Sequence, residues 1–171
     1  REWYVVDLET AKKAIEAVKA CSVAISQIDT KSENTPIVFR PEQLEAIKLT
    51  LKQFKTSDRM LWNAKMRFGK TLSSLEVIKQ SNFKKSIIVT HRPVVDNGWC
   101  EDFGKLFFDR LDYEYGSKNN NVTVEQLLEN GKSFVYFASI QDLRGSDTVG
   151  GKFDKNNAVF DIDWDLIIVD E

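Results

Sequence analysis

The sequence has 171 residues, 42% of them hydrophobic and 29% charged, with a formal net charge of −2. That balance excludes wholesale disorder and suits one domain with its own core. Cys21 and Cys100 stand far apart without a partner motif, which argues against a disulfide framework or zinc site. No apolar run approaches the roughly 20 residues of a membrane span, and no secretory signal opens the chain, so a soluble, cytoplasmic protein is expected. The chain starts at Arg1 and stops at Asp170-Glu171, directly after the apolar run Leu166-Ile167-Ile168-Val169, a pattern expected of a piece of a longer polypeptide.

Apolar residues at three- and four-residue steps predict a helix over residues 9–28, followed by a polar linker to Pro36; residues 1–36 are thus expected to form a helical adjunct. A second helix is expected from Pro41, with proline in its first turn and Leu44, Ile47, Leu51 and Phe54 on its inner face. From there strand and helix alternate. Met60–Ala64 reads as a short strand, 69–80 as a helix, Ser86–Thr90 as a buried strand, and 94–108 as containing a helix with the aromatic face Trp99, Phe103 and Phe107. Leu111–Tyr115 is a further strand candidate, 123–130 a helix closed by Gly131, and Ser133–Ala138 and Leu166–Val169 are strands. The stretch from Gly145 to Asn157 reads as a mobile loop or an insertion. Continuous apolar strands separated by helices predict an α/β fold, with a mostly parallel central sheet covered on both faces.

The strongest chemical signal is Ala64-Lys65-Met66-Arg67-Phe68-Gly69-Lys70-Thr71. It matches the phosphate-loop pattern G-x-x-x-x-G-K-[ST], except that Ala64 stands at the first glycine. In such a loop the backbone N–H groups of Lys65, Met66, Arg67, Phe68 and Gly69 face phosphate oxygens. Gly69 allows close approach, Lys70 reaches the β- and γ-phosphates, and Thr71 offers its hydroxyl to Mg²⁺. The helix that starts here adds its N-terminal dipole. One hundred residues after Lys70 the last apolar strand ends in Asp170-Glu171. There Asp170 is placed to hold the metal and Glu171 to activate the attacking water. Together the two motifs point to ATP with Mg²⁺ as the cofactors.

This combination resembles the first motor domain of superfamily 2 helicases and translocases, and most nearly the motor subunits of type III and type I restriction enzymes. The resemblance covers residues 37–171 and implies a three-layer RecA-like domain. Phe39-Arg40-Pro41-Glu42-Gln43 is similar to the family's adenine-recognition element. This implies that Gln43 reads the base edge and that Arg40 lies near the base or fixes this segment. Val89-Thr90-His91-Arg92-Pro93 sits where the family contacts the nucleic-acid backbone, which implies phosphate contacts from Thr90, His91 and Arg92. His91 at a strand end serves equally as a structural hydrogen-bonder. Ser139 and Gln141 resemble contacts to the tracking strand, and Ser139 also suits a helix N-cap. The T-P-G-R element of RNA helicases is not visible, which favours DNA over RNA as the track. An RNA helicase and an inactive scaffold are the competing readings.

What the resemblance implies is half of an engine. ATP would lie between this domain and a second RecA-like domain of the same parent chain, with nuclease and methyltransferase or specificity modules as further partners. The piece alone is expected to hydrolyse little ATP. Charge is unevenly spread: residues 1–39 carry a net −1, residues 40–92 a net +8, and residues 93–171 a net −9. The basic block contains the phosphate loop and both elements that resemble ligand contacts, as an anion-binding region requires.

Overall fold

The computed structural model describes residues 37–152 and 156–170. The chain divides into two units, Arg1–Pro36 and Ile37–Glu171, and the description below concerns the second. The helix expected over residues 9–28, the linker before Ile37, and Glu171 lie outside the described residues.

Helix α1 spans Pro41–Gln53. Pro41 occupies its first turn, where the missing N–H costs nothing. The Gln43 carboxamide oxygen takes the Arg40 backbone N–H at 2.8 Å, closing the N-terminus. Its inward face is Gln43, Ile47 and Thr50, while Lys48 and Lys52 stay in solvent. Helix α2 covers Lys70–Ser81, and α1 packs against it. Leu75, Val77 and Ile78 are the apolar residues that α2 buries, and Asn82 in the left-handed conformation closes its C-terminus.

Strands β1 (Lys85–Thr90), β2 (Tyr113–Ser117), β3 (Ser133–Ser139) and β4 (Leu166–Asp170) form one sheet of order β2-β3-β1-β4. All three pairings are parallel. The connecting helices are α3 (Asp96–Leu106), α4 (Val124–Asn130), the short α5 (Ile140–Leu143) and α6 (Asn157–Phe160). Parallel strands require such crossovers, and these cover both faces. On one face Leu75 and Ile78 of α2 and Trp99 and Leu106 of α3 pack on Ile88, Val135 and Phe137. On the other, Val124 of α4 and Val159 of α6 pack on Ile87 and Ala138. The result is the three-layer α/β arrangement expected of a RecA-like domain.

Two details fix the seating of the helices. Phe103 stacks on Phe107 with centroids 4.5 Å apart, so the aromatic face of α3 is core, as its helical spacing predicts. Buried Asp96 at the start of α3 accepts the Tyr115 hydroxyl at 2.7 Å. Burial, with Asp96 beside it, pushes the Tyr115 phenol far above its ordinary value, so it remains a donor.

Met60–Ala64 is a correction to the expected strands. It forms no ladder among the described residues. Leu61 is 89% exposed, and the Trp62 indole N–H is spent on the Thr50 hydroxyl of α1 at 2.7 Å. The segment is held by a side chain to a helix, so its apolar content reflects that anchoring. Strand β2 starts at Tyr113, two residues later than the alternation indicates, and runs through Gly116 and Ser117. Between Gly145 and Asn157 the described residues include a 3₁₀ turn, Asp147–Val149, and the start of α6.

Candidate nucleotide site and strand-end rim

The loop before α2 is built around three backbone features. The Phe68 N–H donates to the Lys65 carbonyl at 3.2 Å, closing a turn. Arg67 and Gly69 both take positive φ, 63° and 85°. Gly69 is the N-cap of α2, and a Cβ there would lie 2.4 Å from the Gln43 amide nitrogen, closer than any two such atoms approach. The left-handed dihedral favours glycine here, and a Cβ would also oblige the Gln43 amide to shift.

Helix α1 supplies the clamp on this loop. The Gln43 amide donates to the Phe68 carbonyl at 2.8 Å. The Arg40 guanidinium donates to the Arg67 carbonyl at 3.0 Å and also to the Phe68 carbonyl. With these two carbonyls tied back toward α1, the left-handed Arg67 is held in place. Trp62 meets Phe68 edge-on at 6.2 Å, a further contact on the loop. Lys65 and Met66 at the tip are exposed, Met66 almost fully.

At the end of the loop, Lys70 opens α2 and its ammonium lies 3.7 Å from the Asp170 carboxylate at the end of β4. Thr71 follows on the first turn of α2 and is half-buried. An open cleft of about 380 Å³ runs from this pair along β4, bordered by Met60, Leu61 and Trp62. A second concavity of about 550 Å³ lies between Arg40, Trp62 and the loop residues 64–68. Among the described residues no group of three His, Cys, Asp or Glu side chains could hold a metal ion. Thr71 and Asp170 could hold Mg²⁺ only jointly with nucleotide phosphates, as such a sparse protein donor set requires.

The strand register places a row of polar side chains at the C-terminal edge of the sheet. Thr90 pairs with Asp170 on one side and with Ser139 on the other. Thr90 is buried, and its hydroxyl accepts the Arg92 N–H at 3.2 Å, shaping the turn beyond β1. His91 and Arg92 are exposed, and the Arg92 Nε–H donates to His91 Nε2 at 3.1 Å. Ser139 caps α5 by accepting the Asp142 N–H at 3.1 Å, while its hydroxyl donates to the Asp142 carboxylate at 2.6 Å. The Gln141 amide donates to the His91 carbonyl at 2.7 Å. Lys118, after β2, pairs with Asp142 at 2.8 Å, and the Asn156 amide donates to the Asp142 carbonyl at 2.9 Å.

The family model for "Type III restriction enzyme, res subunit" matches residues 36–171. The chain belongs to this family. It is also similar to a protein of Mycoplasma pneumoniae titled "Putative type II restriction enzyme and methyltransferase RM.MpnORF110P C-terminus", with 28% identity over 141 residues. That match takes in 77% of the chain but 19% of the relative, so the chain spans about a fifth of that protein's length. Membership of the res-subunit family identifies residues 36–171 as a helicase-like motor domain of the restriction type.

The geometry sorts the predicted site residues of this res-type domain into groups. Lys70 and Asp170 meet at one end of the sheet, with Thr71 next to Lys70 on the first turn of α2, and Arg40 and Gln43 reach the loop from the start of α1. Thr90 is engaged within its own turn, Ser139 within the cap of α5, and Gln141 with the loop beyond β1, leaving His91 and Arg92 as the exposed pair. Two participants were not singled out from the sequence. Trp62 contacts Phe68 of the loop before α2, and Asp142 gathers Lys118, Ser139 and Asn156. Only the S-x-x-D spacing of Ser139 and Asp142 hints at the second. No described helix is long and apolar enough to cross a membrane.

Proposed function

We propose that this chain is the ATP-binding half of an ATP-dependent DNA translocase motor, the restriction-subunit motor of a type III or type I-like enzyme. The observation that carries the reading is the approach of Lys70 to Asp170, 3.7 Å apart, across the N-terminus of α2 and the end of a parallel strand. A cation and a carboxylate at that junction, at the N-terminus of α2, suit a Mg²⁺-bound triphosphate. Lys70 binds the β- and γ-phosphates in this reading, Thr71 and Asp170 hold the metal, and Glu171 orients water. ATP with Mg²⁺ supplies the phosphoanhydride whose cleavage drives movement; the chain's own residues bind and orient it.

The second half of the catalytic apparatus belongs to a further RecA-like domain of the parent. Arginine fingers contributed by such a domain are worth roughly 10³–10⁵-fold in rate. The chain alone therefore binds nucleotide but turns it over slowly. DNA would cross the strand-end rim at His91 and Arg92. The restriction-type family supports DNA as the track, and nuclease and methyltransferase modules as partners in the parent.

Calorimetric titration of the chain with ATP and Mg²⁺ tests the nucleotide site. Binding is expected for the native chain and its loss for Lys70→Ala. Equal affinity in the two proteins would remove the phosphate-loop assignment. In the parent, stimulation of ATPase activity by duplex DNA but not by RNA is expected, and the reverse would move the reading to an RNA helicase.

A further inference from the structure

We infer that Gln141 is a positioning residue for the nucleic-acid rim: it fixes the turn carrying His91 and Arg92 rather than touching nucleic acid itself. The inference rests on the rim assignment proposed above and deepens it.

Its basis is how the strand-end loops are connected. The turn beyond β1 is tied internally by the Arg92 N–H on the Thr90 hydroxyl at 3.2 Å, the Arg92 Nε–H on His91 Nε2 at 3.1 Å and the Val95 N–H on the Arg92 carbonyl at 3.2 Å. Its tie to the neighbouring loop is the Gln141 amide on the His91 carbonyl at 2.7 Å, spanning 50 residues of sequence. Gln141 is itself well placed to act as a brace. It sits on α5, whose other residues anchor the loops around it. Ser139 caps α5, Asp142 receives Lys118 from the β2 loop, and Asn156 reaches the Asp142 carbonyl. One four-residue turn thus joins the loops that follow β1, β2 and β3. A donor already committed to a backbone carbonyl contributes to binding mainly by keeping its neighbour in place, which saves the ordering cost at the moment of contact.

The alternative is that Gln141 contacts nucleic acid directly, and the two differ in coupling. Residues acting through one element give non-additive effects, whereas independent contacts add. The 171-residue chain is titrated against a fluorescein-labelled DNA duplex at low ionic strength, as native protein, Gln141→Met, Arg92→Ala and the double variant. Methionine keeps the length and removes the donor. Gln141→Met is expected to weaken binding by roughly threefold to tenfold, the scale of one lost hydrogen bond. In the Arg92→Ala background the same change is expected to cost less than about twofold. The salt slope should fall by about one counterion for Arg92→Ala and hardly change for Gln141→Met.

Unchanged melting of Gln141→Met places its effect on the interface. Full multiplication of the two effects would make Gln141 a separate contact and overturn the inference. So would weakened binding by Arg92→Ala alongside native binding by Gln141→Met. If native protein does not bind the duplex, or Arg92→Ala binds as native, the rim assignment itself falls, and the inference falls with it.

Discussion

Lys70 and Asp170 lie one hundred residues apart in sequence and 3.7 Å apart in space, with neither side chain fully buried. An ion pair this open gains little for stability. Its significance is positional, because the pair brings the cation from the start of α2 and the carboxylate from the end of β4 to one point. Replacement of Asp170 by Asn should therefore leave the melting temperature nearly unchanged. It should weaken Mg²⁺-dependent nucleotide binding by roughly tenfold or more, the scale of a charge-assisted contact. Thermal denaturation and titration with and without Mg²⁺ check the two halves. Metal-independent affinity equal to the native protein's, with metal-dependent affinity also unchanged, would show that Asp170 holds no metal.

Gly69 adopts φ 85° with the Gln43 amide against its α-carbon. Gly69→Ala should cost about 1–2 kcal/mol from the left-handed backbone alone, and more from displacing Gln43. Gln43→Ala should therefore cost less in the Gly69→Ala background than in the native protein, because the collision is gone and the two hydrogen bonds of Gln43 are already disturbed there. Chemical denaturation of the native protein, both single variants and the double variant closes the cycle, and fully additive costs would remove the proposed collision.

Arg40 and Gln43 tie the carbonyls of residues 67 and 68. Used this way, Gln43→Ala should weaken ATP and GTP to the same extent, because a loosened loop treats both triphosphates alike. If the amide instead reads the base when nucleotide is bound, ATP should lose affinity and GTP should not. Competition titrations with the two nucleotides distinguish these outcomes.

Asp142 gives a pH signature. Burial works to raise its carboxyl, but the hydrogen bonds from Lys118 and Ser139 outweigh burial and hold it below the ordinary value. Such a group contributes stability above its unfolded value and loses it as pH falls through the folded value. Lys118 is raised by the same partner, so its contribution is present below its unfolded value and lost as pH rises through the folded one. The stability difference between native protein and Asp142→Asn should hold steady through neutral pH. It should begin to fall below about pH 4, disappear as pH drops through the lowered folded value of Asp142, and decline in alkali above about pH 10.5. Urea denaturation across pH measures it, and a flat difference into acid would exclude the pair as its source.

Much of the architecture was legible because β1 and β3 are largely buried under helices, and such strands read as unbroken apolar runs; β4 reads the same way although its Ile167 and Val169 are exposed. Strand β2 was less so. Gly116 and Ser117 are poor strand formers, yet the sheet accepts Gly116 because Leu127 of α4 fills the space where a Cβ would stand, 2.6 Å from it. The segment Met60–Ala64 misled for the opposite reason: its apolar residues answer to Thr50 of α1 and border a cleft, with no strand partner among the described residues. In the candidate site, the pattern at residues 64–71 was readable because it is local in sequence. The clamp from Arg40 and the hub at Asp142 were not, because each joins side chains 14 to 28 residues from their partners without periodicity to mark them.

The register row Asp170, Thr90, Ser139 has a mechanical meaning. Two strand spacings, about 10 Å, separate its ends. Between them lies hydrogen-bonded parallel sheet with a buried residue at the centre, so the row has no hinge. The distance from the carboxylate to the cap of α5 is therefore set by strand pairing and not by the course of any loop, and the sheet edge serves as a ruler between the two ends of the row.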